Sequence, residues 1–231
     1  MMKQLLHLLK QDFVLINRNQ IIAISLVVTG LYIGVFKGLA QFGDMQKALV
    51  LIIFNDPALL GFLFVGVMVL FERNENTLQA LAVTPMKLSN YLLSKSIALT
   101  VISIACCLLM AWAAVGWNFA VLQYIAATVF TTLIFGFIGF IVVAGQKSFN
   151  TYMLRAVGVI ILLSLPFLAY FEIAARWLFY LFPTQPMIDL YSMSFGSELG
   201  LTEQILAYIL AIGWTILTYF WALRASTKNF D

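Results

Sequence analysis

The chain has 231 residues, of which 63% are hydrophobic and only 10% charged, with a formal charge of +3 and a mean hydropathy of +0.99. A water-soluble domain carries about a quarter of its residues as Asp, Glu, Lys or Arg, so a soluble globule is excluded. A small, dispersed positive charge also excludes a nucleic-acid binder. The composition predicts an all-α polytopic membrane protein in which residues 1–231 form a single membrane domain. No short signal-peptide pattern with a small-residue cleavage site is present, so the first apolar span is expected to be retained.

Residues 1–18 sort onto two helical faces. Leu5, Leu6, Leu8, Leu9, Phe13 and Ile16 share one, while Lys3, Gln4, His7, Lys10, Gln11, Asn17 and Arg18 share the other. That pattern predicts an interfacial helix lying in the headgroup plane, its cations near anionic lipid. Asp12 falls on the apolar face and breaks the pattern. His7, the single histidine, falls on the wet face and reads as ordinary surface.

Apolar runs follow at about Asn19–Phe36, Ala48–Phe71, Ser96–Trp117, Leu122–Gly145, Ala156–Tyr170 and Gln204–Leu223. A spanning helix needs about 20 residues, which gives six spans, the fifth of them short. In the first span, Gly30, Gly34 and Gly38 form a small-residue face for close helix approach, either within one subunit or between two. The second contains Phe54, Asn55, Asp56 and Pro57. Asp56 either lines a wet cavity inside the span, as intramembrane acids usually do, or sits at its outer edge with the span starting after Pro57.

Between the second and third spans lies a charged element, Glu72 to Lys95. Leu78, Leu81 and Ala82 recur at helical spacing. Thr84 and Pro85 supply a fresh helix start, as N-cap and first helical residue. The expected local structure is helix, break, helix, running into the third span. Two readings stand: a membrane-surface helix, or a docking element on which a partner pushes. Further along, Cys106 and Cys107 are adjacent within an apolar run and read as membrane-core thiols. In the fourth span Thr128, Thr131 and Thr132 set hydroxyls beside Phe135, although threonines also bond back to their own helix. Pro166 should kink or break the fifth span.

Residues 171–203 are too long and aromatic for a simple loop. There Glu172 and Arg176 are spaced for an i, i+4 pair, and Pro183 and Pro186 are expected to end the helix preceding them. Cytoplasmic loops collect lysine and arginine. With both termini inside, ten of the thirteen basic residues become cytoplasmic; Lys37, Lys47 and Arg176 alone fall outside. This orientation puts 72–95 in the cytoplasm.

The stretch ERNENTLQALAVTPMKLSNYLLSK resembles the segment that follows the second span in type-2 ATP-binding-cassette (ABC) exporter permeases, an E…GTL…L…TP…YLLSK-like pattern. Glu72, Thr77, Leu78, Leu81, Thr84, Pro85, Tyr91, Leu92, Ser94 and Lys95 match, while Asn76 stands where glycine is common. The resemblance implies an amphipathic elbow helix (1–18), a cytoplasmic coupling helix (72–95) and external re-entrant helices (171–203) before the last span. It makes Glu72, Arg73, Glu75, Asn76, Thr77, Leu78, Leu81, Thr84 and Pro85 the residues seated in an ATPase groove. It also implies two copies of an ABC ATPase subunit carrying ATP and Mg, and a second permease, identical or related, in the cytoplasmic membrane. The candidate path residues are Phe54, Asn55, Asp56, Thr131, Thr132 and Phe135; the candidate lid residues are Glu172, Arg176, Pro183 and Pro186. An apolar path suits hydrophobic or amphipathic cargo such as a drug, lipid or peptide.

The sequence carries no G-x-x-x-x-G-K-[ST] phosphate loop, no metal-ligand cluster and no nucleophile–base pairing. The chain is therefore expected to bind no cofactor and to catalyse no reaction itself. An ATP-independent carrier or an assembly scaffold is the alternative. Gradient-driven carriers need ionisable groups deep in their spans, and only Asp56 and Glu172 approach that description.

Overall fold

The structure, a computed structural model, describes residues 2–39, 46–75, 87–146 and 148–227, and among these every regular element is a helix. Helix α1 (Met2–Arg18) ends where Gln20 adopts a positive φ of 57°, and α2 (Ile21–Leu39) leaves in a new direction. Helix α3 (Gln46–Leu59) runs through a π turn (Leu60–Phe64) into α4 (Val65–Asn74). Then come α5 (Leu88–Val115), α6 (Val121–Val143), α7 (Phe149–Leu163) and the short α8 (Phe167–Tyr170). A 3-10 turn (Arg176–Phe179), α9 (Thr184–Ser194) and α10 (Leu201–Thr227) complete the chain.

Six of these helical runs are long and apolar enough to cross a membrane: 21–38, 47–74, 88–115, 121–143, 149–170 and 201–227. The protein is thus a multi-pass membrane protein with the expected span count. Two boundaries move. The third span starts at Leu88, ahead of Ser96, which brings Lys95 inside it. The fifth starts at Phe149, ahead of Ala156, because Ser148 caps the helix by accepting from the Thr151 amide at 3.3 Å. Pro166 acts as anticipated: α7 stops at Leu163, and α8 restarts with Pro166 at its N-cap.

Helix α6 is the centre of the packing, touching α3, the π turn, α4, α5, α7, α9 and α10. Its composition allows this. Thr128, Thr131 and Thr132 donate to the carbonyls of Tyr124, Ala127 and Thr128 at 2.9, 2.7 and 2.9 Å, so their buried hydroxyls have partners within the helix. Gly61 and Gly139 let the π turn lie against the backbone of α6. A Cβ on Gly139 would stand 2.6 Å from the Phe62 carbonyl oxygen, and one on Gly61 would stand 2.5 Å from the Thr132 oxygen. On α4, a Cβ on Gly66 would strike the Tyr152 ring. Pro57 removes the amide that would bond the Ile53 carbonyl, and the π turn follows directly. The Phe62 carbonyl within that turn accepts from the Tyr152 hydroxyl at 2.6 Å.

The small-residue face of the first span behaves otherwise. Gly30, Gly34 and Gly38 are exposed, and a Cβ at any of them meets nothing within 4 Å among the described residues, so packing among those residues does not account for them. Gly139→Ala is expected to lower the unfolding midpoint in detergent, since overfilling a tight contact costs about 1–3 kcal/mol. Gly34→Ala should leave the midpoint unchanged in the same thermal measurement.

Candidate functional site at the ends of the 76–86 segment

Residues Asn76, Thr77, Leu78, Leu81, Thr84 and Pro85 lie outside the described residues. The chain that leads into that segment and the chain that leaves it are described, and both are unusually well tied. Helix α4 ends in Glu72 and Arg73, with Glu75 just beyond. Glu72 is 4% exposed and Lys95, two turns into α5, is 1% exposed. Their ion pair measures 2.5 Å, and the Lys95 ammonium also reaches Asp12 Oδ1 of α1 at 2.7 Å. Asp12 is 4% exposed. Its other oxygen accepts from the Ser94 hydroxyl at 2.5 Å, and the Tyr91 hydroxyl donates to Glu72 Oε2 at 2.6 Å. The ammonium also stands 4.8 Å from the Tyr91 ring centroid.

A buried charge with one partner pays heavily for desolvation; one held by two carboxylates, themselves bonded to hydroxyls, forms a satisfied network. The acid that broke the apolar face of residues 1–18 is therefore the anion awaiting Lys95. On that face Leu8 and Ile16 are buried within the chain, whereas Leu6 is 63% exposed. His7 is exposed and contacts Gln11 at 3.2 Å.

The other two charges at the end of α4 reach elsewhere. Arg73 donates to the Gln146 carbonyl just after α6, and Glu75 pairs with Arg18 at the end of α1. Asn90 of α5 donates to Gln4 of α1 at 3.4 Å. Beside the network, a cavity of about 520 Å³ opens between α1 and the α4–α5 ends, with Leu8, Leu15, Arg18 and Glu75 among its lining.

The candidate path residues sit in the core of the chain. Helix α3 starts at Gln46, so Asp56 lies well inside the second span and the reading in which the span begins after Pro57 is corrected. Asp56 is 2% exposed and receives a weak contact from the Cys107 thiol at 3.8 Å. Phe54 meets Phe135 edge-on at 5.6 Å and Phe167 at 5.1 Å. Asn55 bonds back to the Leu51 carbonyl at 3.1 Å, as Thr131 and Thr132 do within α6.

In 171–203 the expected Glu172–Arg176 pair does not form. Glu172 adopts a left-handed φ of 64°, so the two residues share no helical face. Glu172 pairs instead with Lys47 at 2.6 Å, which holds its carboxyl below the usual range. Arg176 joins Asp189 of α9 at 3.0 Å and Glu203 of α10 at 3.2 Å. Burial raises the Asp189 carboxyl, opposed by the attraction of Arg176 and by bonds from Arg176 and Gln185. Pro183 and Pro186 begin a helix rather than end one: Pro183 is the N-cap of α9 and Pro186 lies in its first turn, where a missing N–H is harmless. Helix α9 is buried against α3, α6 and α10.

Lys95→Met leaves two buried carboxylates facing each other and is expected to lose about 3–5 kcal/mol of stability, read as a lower unfolding midpoint in detergent. Neutralising all three groups together (Asp12→Asn, Glu72→Gln, Lys95→Met) should recover much of that loss.

A family model described as the fluoroquinolones export permease protein family matches residues 3–230. Two fluoroquinolones export permease proteins of Mycobacterium tuberculosis, from strains CDC 1551 / Oshkosh and H37Rv, are each 31% identical over 145 residues. That alignment covers 62% of this chain and 61% of each relative, so the match spans less than two thirds of their length.

Proposed function

From the premise that this chain belongs to the fluoroquinolones export permease protein family, we propose that it is the membrane subunit of an ATP-driven ABC exporter. Two copies of a separate ATPase subunit bind ATP and Mg and seat the segment 76–86, with Glu72, Arg73 and Glu75 at its entry. Both termini and this segment are cytoplasmic, in the cytoplasmic membrane. A second permease, identical or related, completes a path that one six-span chain does not enclose. The cargo is amphipathic or hydrophobic; the names of the relatives support a drug of the fluoroquinolone kind.

The observation that carries this reading is the anchoring of both ends of 76–86. Glu72 and Lys95 flank the segment and pair at 2.5 Å in a buried setting, so a push on the segment is delivered to two spans at once. The sequence supplies no phosphate loop, and the energy for such a push comes from a partner.

Asp56 supports one second reading, a gradient-driven carrier, since a buried acid within a span is what proton coupling needs. Asp56→Asn separates the two: it abolishes transport driven by a pH gradient alone in the carrier, and leaves ATP-driven transport in the exporter. The docking element has its own test. Leu78→Asp with Leu81→Asp is expected to abolish co-purification of the ATPase while membrane insertion continues. Retained ATPase in the pull-down overturns the docking assignment.

A further inference from the structure

We propose that Asp12, Glu72 and Lys95 are positioning residues that make α1 and both ends of the 76–86 segment travel as one body. This rests on the exporter reading above and deepens it, by naming what carries the movement away from the ATPase contact.

The argument begins with where the charges at the end of α4 reach. Glu72 reaches α5 through Lys95 and Tyr91, Arg73 reaches Gln146, three residues past α6, and Glu75 reaches the last residue of α1. One helix end thus grips three other elements within four residues. The grips differ in strength. The Arg18–Glu75 pair has side chains 59% and 47% exposed, and such surface pairs are weak and screened by salt. The Asp12–Lys95–Glu72 network is almost free of water, where charge attraction is little screened and removal of a partner is strongly felt.

Geometry makes Lys95 the shared member. Its ammonium bonds α1 on one side and α4 on the other, at 2.7 and 2.5 Å. Ser94 and Tyr91, its neighbours on α5, hold the second oxygen of each carboxylate at 2.5 and 2.6 Å. Both carboxylates are therefore fixed at two points, and neither swings away from α5 without breaking two bonds. A displacement entering at Glu75 or Lys87 moves Glu72 and Lys95 together, and Asp12 takes α1 with them. Coupling of this kind requires a contiguous physical network between the moving parts, and this network is continuous in hydrogen bonds. Removing Asp12 alone takes away the buried link to α1, leaving there only the exposed Arg18–Glu75 pair and the long Asn90–Gln4 bond, and it leaves the Glu72–Lys95 pair intact.

The test uses the full permease assembled with its ATPase subunits, with Cys106 and Cys107 replaced by alanine. Nitroxide labels are attached through Lys10→Cys or Lys87→Cys, each paired with Asn150→Cys; all three positions are exposed. Pulsed electron-spin distances are recorded with and without a non-hydrolysable ATP analogue. In the otherwise unaltered protein both distances shift. In Asp12→Asn the shift at Lys87 persists and the shift at Lys10 is lost; in Lys95→Arg, where a cation still serves both carboxylates, both shifts persist. A Lys10 shift that survives Asp12→Asn overturns the inference while leaving the exporter reading intact. Absence of any shift at Lys87 in the unaltered protein overturns the exporter reading, and this inference with it.

Discussion

One ammonium group, that of Lys95, sits buried where three helices meet. A charge in that position is tolerated only with its anions in place, so the directions of α1, α4 and α5 at this end of the molecule are fixed together. The identity of the neighbours follows from this requirement. Tyr91 and Ser94 are one turn or less from Lys95 and complete the coordination of the carboxylates. The described stretches on either side of 76–86 are joined at this same point by the Glu72–Lys95 pair.

Elsewhere the helices are held by shape. Polar groups in a membrane must be satisfied within the protein; in α6 the main chain is satisfied by the helical ladder, and the buried threonine hydroxyls donate back to its carbonyls. The π turn of the second span lies directly on α6 at Gly139, and its Phe62 carbonyl accepts from the Tyr152 hydroxyl. The spans sort into two classes. The second, third and fourth are half or more buried (61, 50 and 56%), whereas the first, fifth and sixth are buried by only 17, 28 and 22%. The latter three present broad apolar faces at the surface of the chain.

Composition and apolar run length were enough to read the fold class and span number, because covering a span in hydrocarbon leaves few alternatives to an apolar helix. Boundaries were less legible. Ser148 starts the fifth span early through a hydroxyl cap, a local bond that hydropathy does not register. The π turn had one signal, Pro57, but a proline predicts a lost amide and not the repair made around it. In 171–203 the sequence spacing of Glu172 and Arg176 misled, since the i, i+4 rule holds only on a continuous helix and Glu172 turns left-handed. For the site, Glu72 and Arg73 were legible from the motif-like segment. Asp12 was visible only as an anomaly on an apolar face. Its partner lies 83 residues away in the chain, and no local pattern connects them.

The order of these residues along the chain bears on how the protein is made. Asp12 and Glu72 both leave the ribosome before Lys95. A lone lysine inside a span opposes membrane insertion by up to about 3 kcal/mol. When α5 enters the bilayer, however, two carboxylates on already synthesised helices are waiting to neutralise it. Both counter-ions of the third-span cation, on α1 and α4, are thus supplied by chain that is made before it.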